Sequence, residues 1–175
     1  MTAPVAVLET ERLTLRRPAA RDWPQARDFF MSDRASGIGG PDTLGVAWRA
    51  FATKLGHWQI HGFGMWTATR KDDDTALGMF GAWCPADWPE NEIGWFIFDQ
   101  DTEGTGIAFK ATRAAVDHAY ATLDWQTVVS YITPGNARSI ALAERLGARH
   151  DPDATAPWPN TPCLVYRHPN PQARP

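Results

Sequence analysis

The chain has 175 residues, 43% apolar and 21% charged, with 17 basic against 20 acidic side chains for a net charge of −3. That length suits one compact domain able to bury about 70% of its unfolded surface without disulfide staples. The charge balance, with no run of Lys or Arg, argues against nucleic-acid binding, and the short apolar stretches argue against a spanning helix or a signal segment. The expected location is therefore the cytoplasm, with no membrane partner. Cys84 and Cys163 match no metal-ligand spacing, so they read as buried thiols and no metal is expected. Nine tryptophans against three tyrosines imply a core or a cleft rich in indoles.

Residues 12–17 alternate Leu13 and Leu15 with polar neighbours, the period of a strand with one buried face. Pro18 stops it, and Asp22 before Trp23-Pro24 predicts a capped helix over about 22–31. After the breaker cluster Ser36 to Asp42, the spacing of Val46, Trp48, Phe51, Leu55 and Trp58 predicts a second helix to about residue 60. Residues 64–69 and 77–84 read as a hairpin across the polar turn Lys71 to Asp74, and residues 91–98 as a third strand. Ile107, Ala111, Ala114, Ala115, Ala119 and Leu123 form one stripe, predicting a helix over 107–123 behind Glu103-Gly104-Thr105-Gly106. Residues 126–133 read as a strand, 136–145 as a helix ended by Gly147, and 164–167 as a last strand. An antiparallel meander joined to a β-α-β crossover gives a mixed α/β sheet covered by helices, with no internal boundary.

A strand ending at Phe98, a glycine turn and a helix start would aim backbone N–H groups at an anion, although glycines before a helix also serve as ordinary turn residues. The spacing fits neither the dinucleotide fingerprint nor the phosphate-loop lysine pattern. The segments Leu8 to Arg16, Glu92-Ile93-Gly94-Trp95, Glu103 to Ala108, Asn136-Ala137-Arg138-Ser139 and Glu144 to Gly147, in this order, resemble the GNAT superfamily of acetyl-CoA-dependent N-acetyltransferases. The branch resembled includes the ribosomal-protein alanine acetyltransferases. Gly39-Gly40-Pro41, Gly56-His57-Trp58, Gly62 to Trp66 and Trp88 to Glu92 are similar to uncharacterised bacterial members, and the likeness spans residues 8–168.

The resemblance implies a single acyl-CoA N-acyltransferase domain whose mainly antiparallel sheet splays between the strands at 91–98 and 126–133. It implies acetyl-CoA as donor, with its pantetheine arm in that gap and its pyrophosphate on the amides of Asp101, Thr102, Glu103, Gly104, Thr105, Gly106 and Ile107. Main-chain N–H groups around Trp95, Phe96 and Ile97 are the implied oxyanion donors, Asn136 the implied contact to the cofactor arm, and Ser139 the polar candidate for protonating the thiolate, because Ala143 stands where many relatives carry tyrosine. Asn136 and Ser139 also read as an N-cap and a first-turn hydroxyl. Glu92 is the candidate base for the amine; otherwise it reads as a strand-edge acid or an ion-pair partner. The chain departs from the family at the phosphate loop, where Asp99, Asp101 and Glu103 bring negative charge that Lys110 and Arg113 would offset. Trp58, Trp66, Trp83 and Trp88, with His57 and His61, fall in segments the family uses for the acceptor, although most indoles read as core.

The expected reaction is direct attack by a primary amine, on a protein N-terminus or a small molecule, in a ternary complex. No Ser-His-Asp or Cys-His signature suggests a covalent enzyme intermediate. The alternative is an inert acyl-CoA-binding module of the same fold. Either would be a monomer or a homodimer.

Overall fold

A computed structural model describes residues 7–171. Eight strands form one sheet in the order β1-β2-β3-β4-β5-β6-β8-β7: β1 Leu8–Glu9, β2 Leu13–Arg16, β3 Met65–Arg70, β4 Asp73–Trp83, β5 Glu92–Ile97, β6 Val129–Ile132, β7 Arg149–His150 and β8 Leu164–Arg167. Every neighbouring pair is antiparallel except β5 and β6, which the crossover through a helix makes parallel. Four α-helices cover the sheet: α1 Trp23–Phe30, α2 Leu44–His61, α3 Ile107–Ala121 and α4 Ala137–Arg145. None is long and apolar enough to cross a membrane.

The alternation read in residues 12–17 is real, since Leu13 and Leu15 are fully buried. They join Trp66, Phe80, Ile93 and the α3 stripe of Ile107, Ala111, Ala115 and Ala119 in a core on one sheet face. On the other face α1 and α2 bury Ala26, Phe29, Phe30, Ala47 and Phe51 against Met65, Met79 and Phe98. A third cluster seats Ala143 of α4 against Ile132 and Tyr166.

The Asp22 side chain does not cap α1. It is 1% exposed, accepts both guanidinium nitrogens of Arg16 (3.0 and 2.7 Å) and the Thr67 hydroxyl (2.8 Å), and so ties β2, β3 and the start of α1 together. A buried carboxylate needs such partners, and a bidentate arginine supplies more than a helix end could.

Beyond Glu92↔Val129, where they are paired, β5 and β6 part. Just past that pair the Ser130 hydroxyl donates to the Ile93 carbonyl (2.6 Å) and is itself bonded to His168 Nε2 (2.8 Å). Because the hydroxyl has one proton and spends it on Ile93, the imidazole donates through Nε2. Burial holds His168 neutral, down to about 4. This chain of bonds closes the sheet at the point where it opens.

Candidate active site

Strand alternation sets what faces the gap. The Ile93 carbonyl is taken by Ser130 and the Ile97 carbonyl by the Arg34 guanidinium (2.8 Å), so the Trp95 N–H and C=O between them point into the opening with no β6 partner among the described residues. The gap leads into a cleft of about 650 Å³. Of the residues expected to touch the cofactor, Trp95, Phe96, Ile97, Thr102, Glu103, Gly104, Gly106, Asn136 and Ser139 line it.

At one end of the cleft α3 begins without a side-chain cap: Gly106 is the N-cap at φ +82°, and Gly104 has φ +74°. Both conformations suit glycine, and they turn the chain so that the amides of Gly104, Gly106, Ile107 and Ala108 find no acceptor among the described residues. Such unpaired N–H groups at a helix start are the cradle a phosphate fits. The rest of the loop is self-contained. Asp99 accepts from the Asp101 amide (2.9 Å), Thr102 donates to the Asp99 carbonyl (2.7 Å), and Thr105 donates to the Thr102 carbonyl (2.6 Å). Asp101 and Thr105 are exposed and stand outside the cleft, and the Ile107 side chain turns into the core.

The expected charge compensation comes from other residues. Lys110 pairs with Glu11 (2.8 Å) and Arg113 donates to the Leu146 carbonyl (3.0 Å), so neither lines the cleft. Arg34, Arg138 and Arg145 do. Arg34, from the turn after α1, spans the Ile97 and Phe98 carbonyls (2.8 and 2.6 Å) and one oxygen of Glu103 (2.8 Å), while Arg138 holds the other oxygen. Three guanidinium groups against one carboxylate leave this end of the cleft cationic. Arg34 and Glu103 are 69 positions apart, so no local spacing announces the pair.

On the far wall, Asn136 caps α4 by accepting from the Ser139 amide (3.2 Å), and its amide group packs against Gly37. The Ser139 hydroxyl accepts from the Trp95 indole (3.1 Å), which leaves its own proton free to donate.

A second group gathers on the α2 side of β5. Glu92 accepts from the Trp88 indole (2.6 Å), and burial raises its carboxyl to about 7 against the lowering pull of that bond and of Lys54. Lys54 is 8% exposed, and its ammonium lies 3.2 Å from the centre of the Trp83 ring and 5.2 Å from that of Phe96. Burial lowers it to about 7, opposed by the charge of Glu92. Sequence reasoning passed over this lysine, although the stripe Ala47, Phe51, Lys54, Trp58 shows a cation on the buried face of a helix. Trp88, Trp158 and Tyr131 meet edge to face, and the Tyr131 hydroxyl is buried without a hydrogen bond.

Trp58 and Trp66 do not belong to this group. They are 4% and 0% exposed, meet edge to face at 5.4 Å, and Trp58 spends its indole proton on the Met65 carbonyl (2.8 Å). The flat ring and single donor that suit a cleft are satisfied in the core instead. His57 is fixed neutral as well: its Nε2 accepts from the Cys84 amide (3.0 Å), so its Nδ1 donates to Phe63 (2.9 Å) while the ring stacks on Trp83. The described residues hold no cluster of His, Cys, Asp and Glu placed for a metal ion.

Comparison with known proteins gives the fold and the family. A crystal structure of an acetyltransferase from Agrobacterium tumefaciens str. C58 is 38% identical, covers 96% of each chain and superposes with a TM-score of 0.87. An uncharacterised protein of Bacillus subtilis (strain 168), YkkB, is 31% identical over 109 residues, 61% of its own length. RimL, the ribosomal L7/L12 alpha-N-protein acetyltransferase solved in complex with coenzyme A, is 16% identical over 93% of this chain and 97% of its own, and at a TM-score of 0.71 shares the fold. The acetyltransferase (GNAT) domain model matches residues 12–149, so the chain belongs to the GNAT acetyltransferase family.

Proposed function

We propose that the protein acetylates a primary amine by direct attack on acetyl-CoA in a ternary complex. One observation carries the reading: the half-buried Glu92 carboxyl, which accepts from the Trp88 indole and whose desolvation raises it to about 7, stands on the last residue where β5 and β6 still pair, where the gap begins. A base whose titration lies near the operating pH can take a proton from an ammonium and give it up again.

The cleft suits the donor. Free amides at the start of α3 and the arginines Arg34, Arg138 and Arg145 match a pyrophosphate, and the open edge of β5 at Trp95 matches the amides of a pantetheine arm. When bound there, acetyl-CoA supplies an activated thioester. Glu92 accepts the proton of the acceptor ammonium, directly or through a water, so that the freed nitrogen pair can bond to the acetyl carbon. Of the main-chain N–H groups at Trp95 to Ile97, those of Trp95 and Ile97 are on the gap side, where the oxyanion develops, and that of Phe96 turns towards β4. The carbon–sulfur bond then breaks with its electron pair on sulfur, and the Ser139 hydroxyl, 3.1 Å from the Trp95 indole, relays to that sulfur the surplus proton of the attached nitrogen, so that the products are a neutral amide, a free thiol and an unchanged serine.

The test has two stages. Acetyl-CoA and CoA should each raise the melting temperature of the wild type. A panel of primary amines should then release free thiol, with Glu92→Gln at least tenfold slower. No stabilisation by either ligand would refute the donor site, and an unchanged rate for Glu92→Gln at its optimum pH would remove Glu92 as the base.

A further inference from the structure

We infer that the acceptor is a small amine carrying a carboxylate beside the amine, of the α-amino acid type with an apolar side chain, and that Lys54 is the residue that receives its carboxylate. This rests on the reading of Glu92 as the base for the acceptor amine, and deepens it.

Lys54 Nζ is the centre of the argument. An ammonium carries three donors and no acceptor, and is rarely buried without partners. The residue is 8% exposed, and no hydrogen bond or ion pair joins its ammonium to any described residue; the ammonium faces the Trp83 and Phe96 rings, feels Glu92 only through charge, and keeps an opening to solvent through which an anion can reach it. A cation placed over indole gains something from the ring but leaves its N–H groups unsatisfied. The Phe96 ring is common to both parts of the site, since it also lines the cleft. The unpartnered ammonium thus senses the charge of Glu92, which is suited to receive an amine, and lies 5.2 Å from the centre of the Phe96 ring, whose residue lines the cleft in which the donor would run.

A ligand reaching Glu92 with its nitrogen meets Lys54 with whatever lies next to that nitrogen. A second cation, as in a polyamine or a polycationic amino sugar, is set against the lysine and repelled. A neutral amine leaves the ammonium as it was. A carboxylate supplies the missing acceptor, and a carboxylate beside the amine presents both groups to a carboxyl and an ammonium that sense each other without forming an ion pair. The edge-to-face wall of Trp88, Trp158 and Tyr131 then suits an apolar side chain on the same carbon. The facing titratable groups allow this charge pattern: His57 is tied up as a neutral ring, and burial pushes the Cys84 thiol up so that it stays protonated.

The experiment compares phenylalanine with phenethylamine, which lacks only the carboxylate, and with spermidine, by thiol release in the presence of acetyl-CoA. Binding of phenylalanine is followed separately by tryptophan fluorescence with CoA present. The wild type should favour phenylalanine over phenethylamine at least tenfold in kcat/KM, mostly through KM, and turn over spermidine least. Lys54→Met, which keeps the length and suits the apolar surroundings, should bring phenylalanine and phenethylamine within about twofold of each other and abolish the fluorescence change. Equal rates for the two amines in the wild type, or a preference that survives Lys54→Met, would overturn the assignment. If neither amine releases thiol, the fluorescence titration decides: a change lost in Lys54→Met supports the site, and no change with the wild type refutes it. Failure of acetyl-CoA to stabilise the protein refutes the acetyl-transfer site instead.

Discussion

Trp88→Phe removes the largest of the pulls that keep the Glu92 carboxyl from rising further, the others being the Lys54 charge and a main-chain hydrogen bond from Tyr131. The indole donates to Glu92 Oε2 at 2.6 Å and therefore favours the ionised form, while burial favours the neutral one, with the balance at about 7. A hydrogen bond to a charged group contributes about 1.5–3 kcal/mol, and one pH unit corresponds to about 1.4 kcal/mol, so its loss should shift the titration by about 1–2 pH units. Trp88 is only partly buried, so water replaces some of the bond and the lower figure applies. Phenylalanine retains a ring for the edge-to-face contacts with Tyr131 and Trp158. The direction follows from the donor: removing it destabilises the carboxylate and raises its titration from about 7 towards about 8. Since the base acts when ionised, the acidic limb of kcat/KM for thiol release should move to higher pH by about one unit. At pH 6 the variant should be about tenfold slower than the wild type, and the two should converge above pH 9. A limb that stays in place, or moves to lower pH, would refute Glu92 as the titrating base.

Two further outcomes follow from the arginine clamp and the latch at the splay. Arg34→Ala removes bonds to the Ile97 and Phe98 carbonyls and frees Glu103 beside the helix start, so calorimetry should show CoA binding at least tenfold weaker, about 1.4 kcal/mol; unchanged affinity would exclude the clamp from the phosphate end. His168 is held neutral when folded, at about 4 against 6.5 when free, so the unfolded state binds more protons between those values. Its contribution is complete above about pH 6.5 and is lost as pH falls towards 4, amounting to about 3 kcal/mol. His168→Gln should lose less stability than the wild type over that interval in denaturant melts, and parallel pH profiles would refute the argument.

What the sequence disclosed follows how local each signal is. The α3 stripe, the Leu13 and Leu15 alternation and the Asn136 cap need only neighbours a few positions away, and all three stand in the structure. β1 and β7 have two residues each, too few to show a period, and were not expected. Asp22 looked like a cap because its partner Thr67 lies 45 positions downstream. The four tryptophans are hard to place for the same reason, since an indole's place depends on distant groups. Trp58 and Trp66 are core, Trp83 packs at the edge of a core cluster beside His57 and Lys54, and Trp88 stands beside Glu92. The indole proton of Trp58 goes to a backbone carbonyl, that of Trp88 to Glu92.

The acidic phosphate loop teaches the same lesson through charge. Read along the chain, Asp99, Asp101 and Glu103 oppose a pyrophosphate, and the nearest cations, Lys110 and Arg113, were the natural remedy. In space the helix turns those two away, and Glu103 becomes the anchor that draws Arg34 and Arg138 to the cleft. The glutamate that looked like an obstacle to phosphate therefore orients two of the cations that would bind it. Removing it should disorder the arginines rather than improve the site: Glu103→Gln gives up a repulsive charge and, with it, the two ion pairs that fix the guanidinium groups in place.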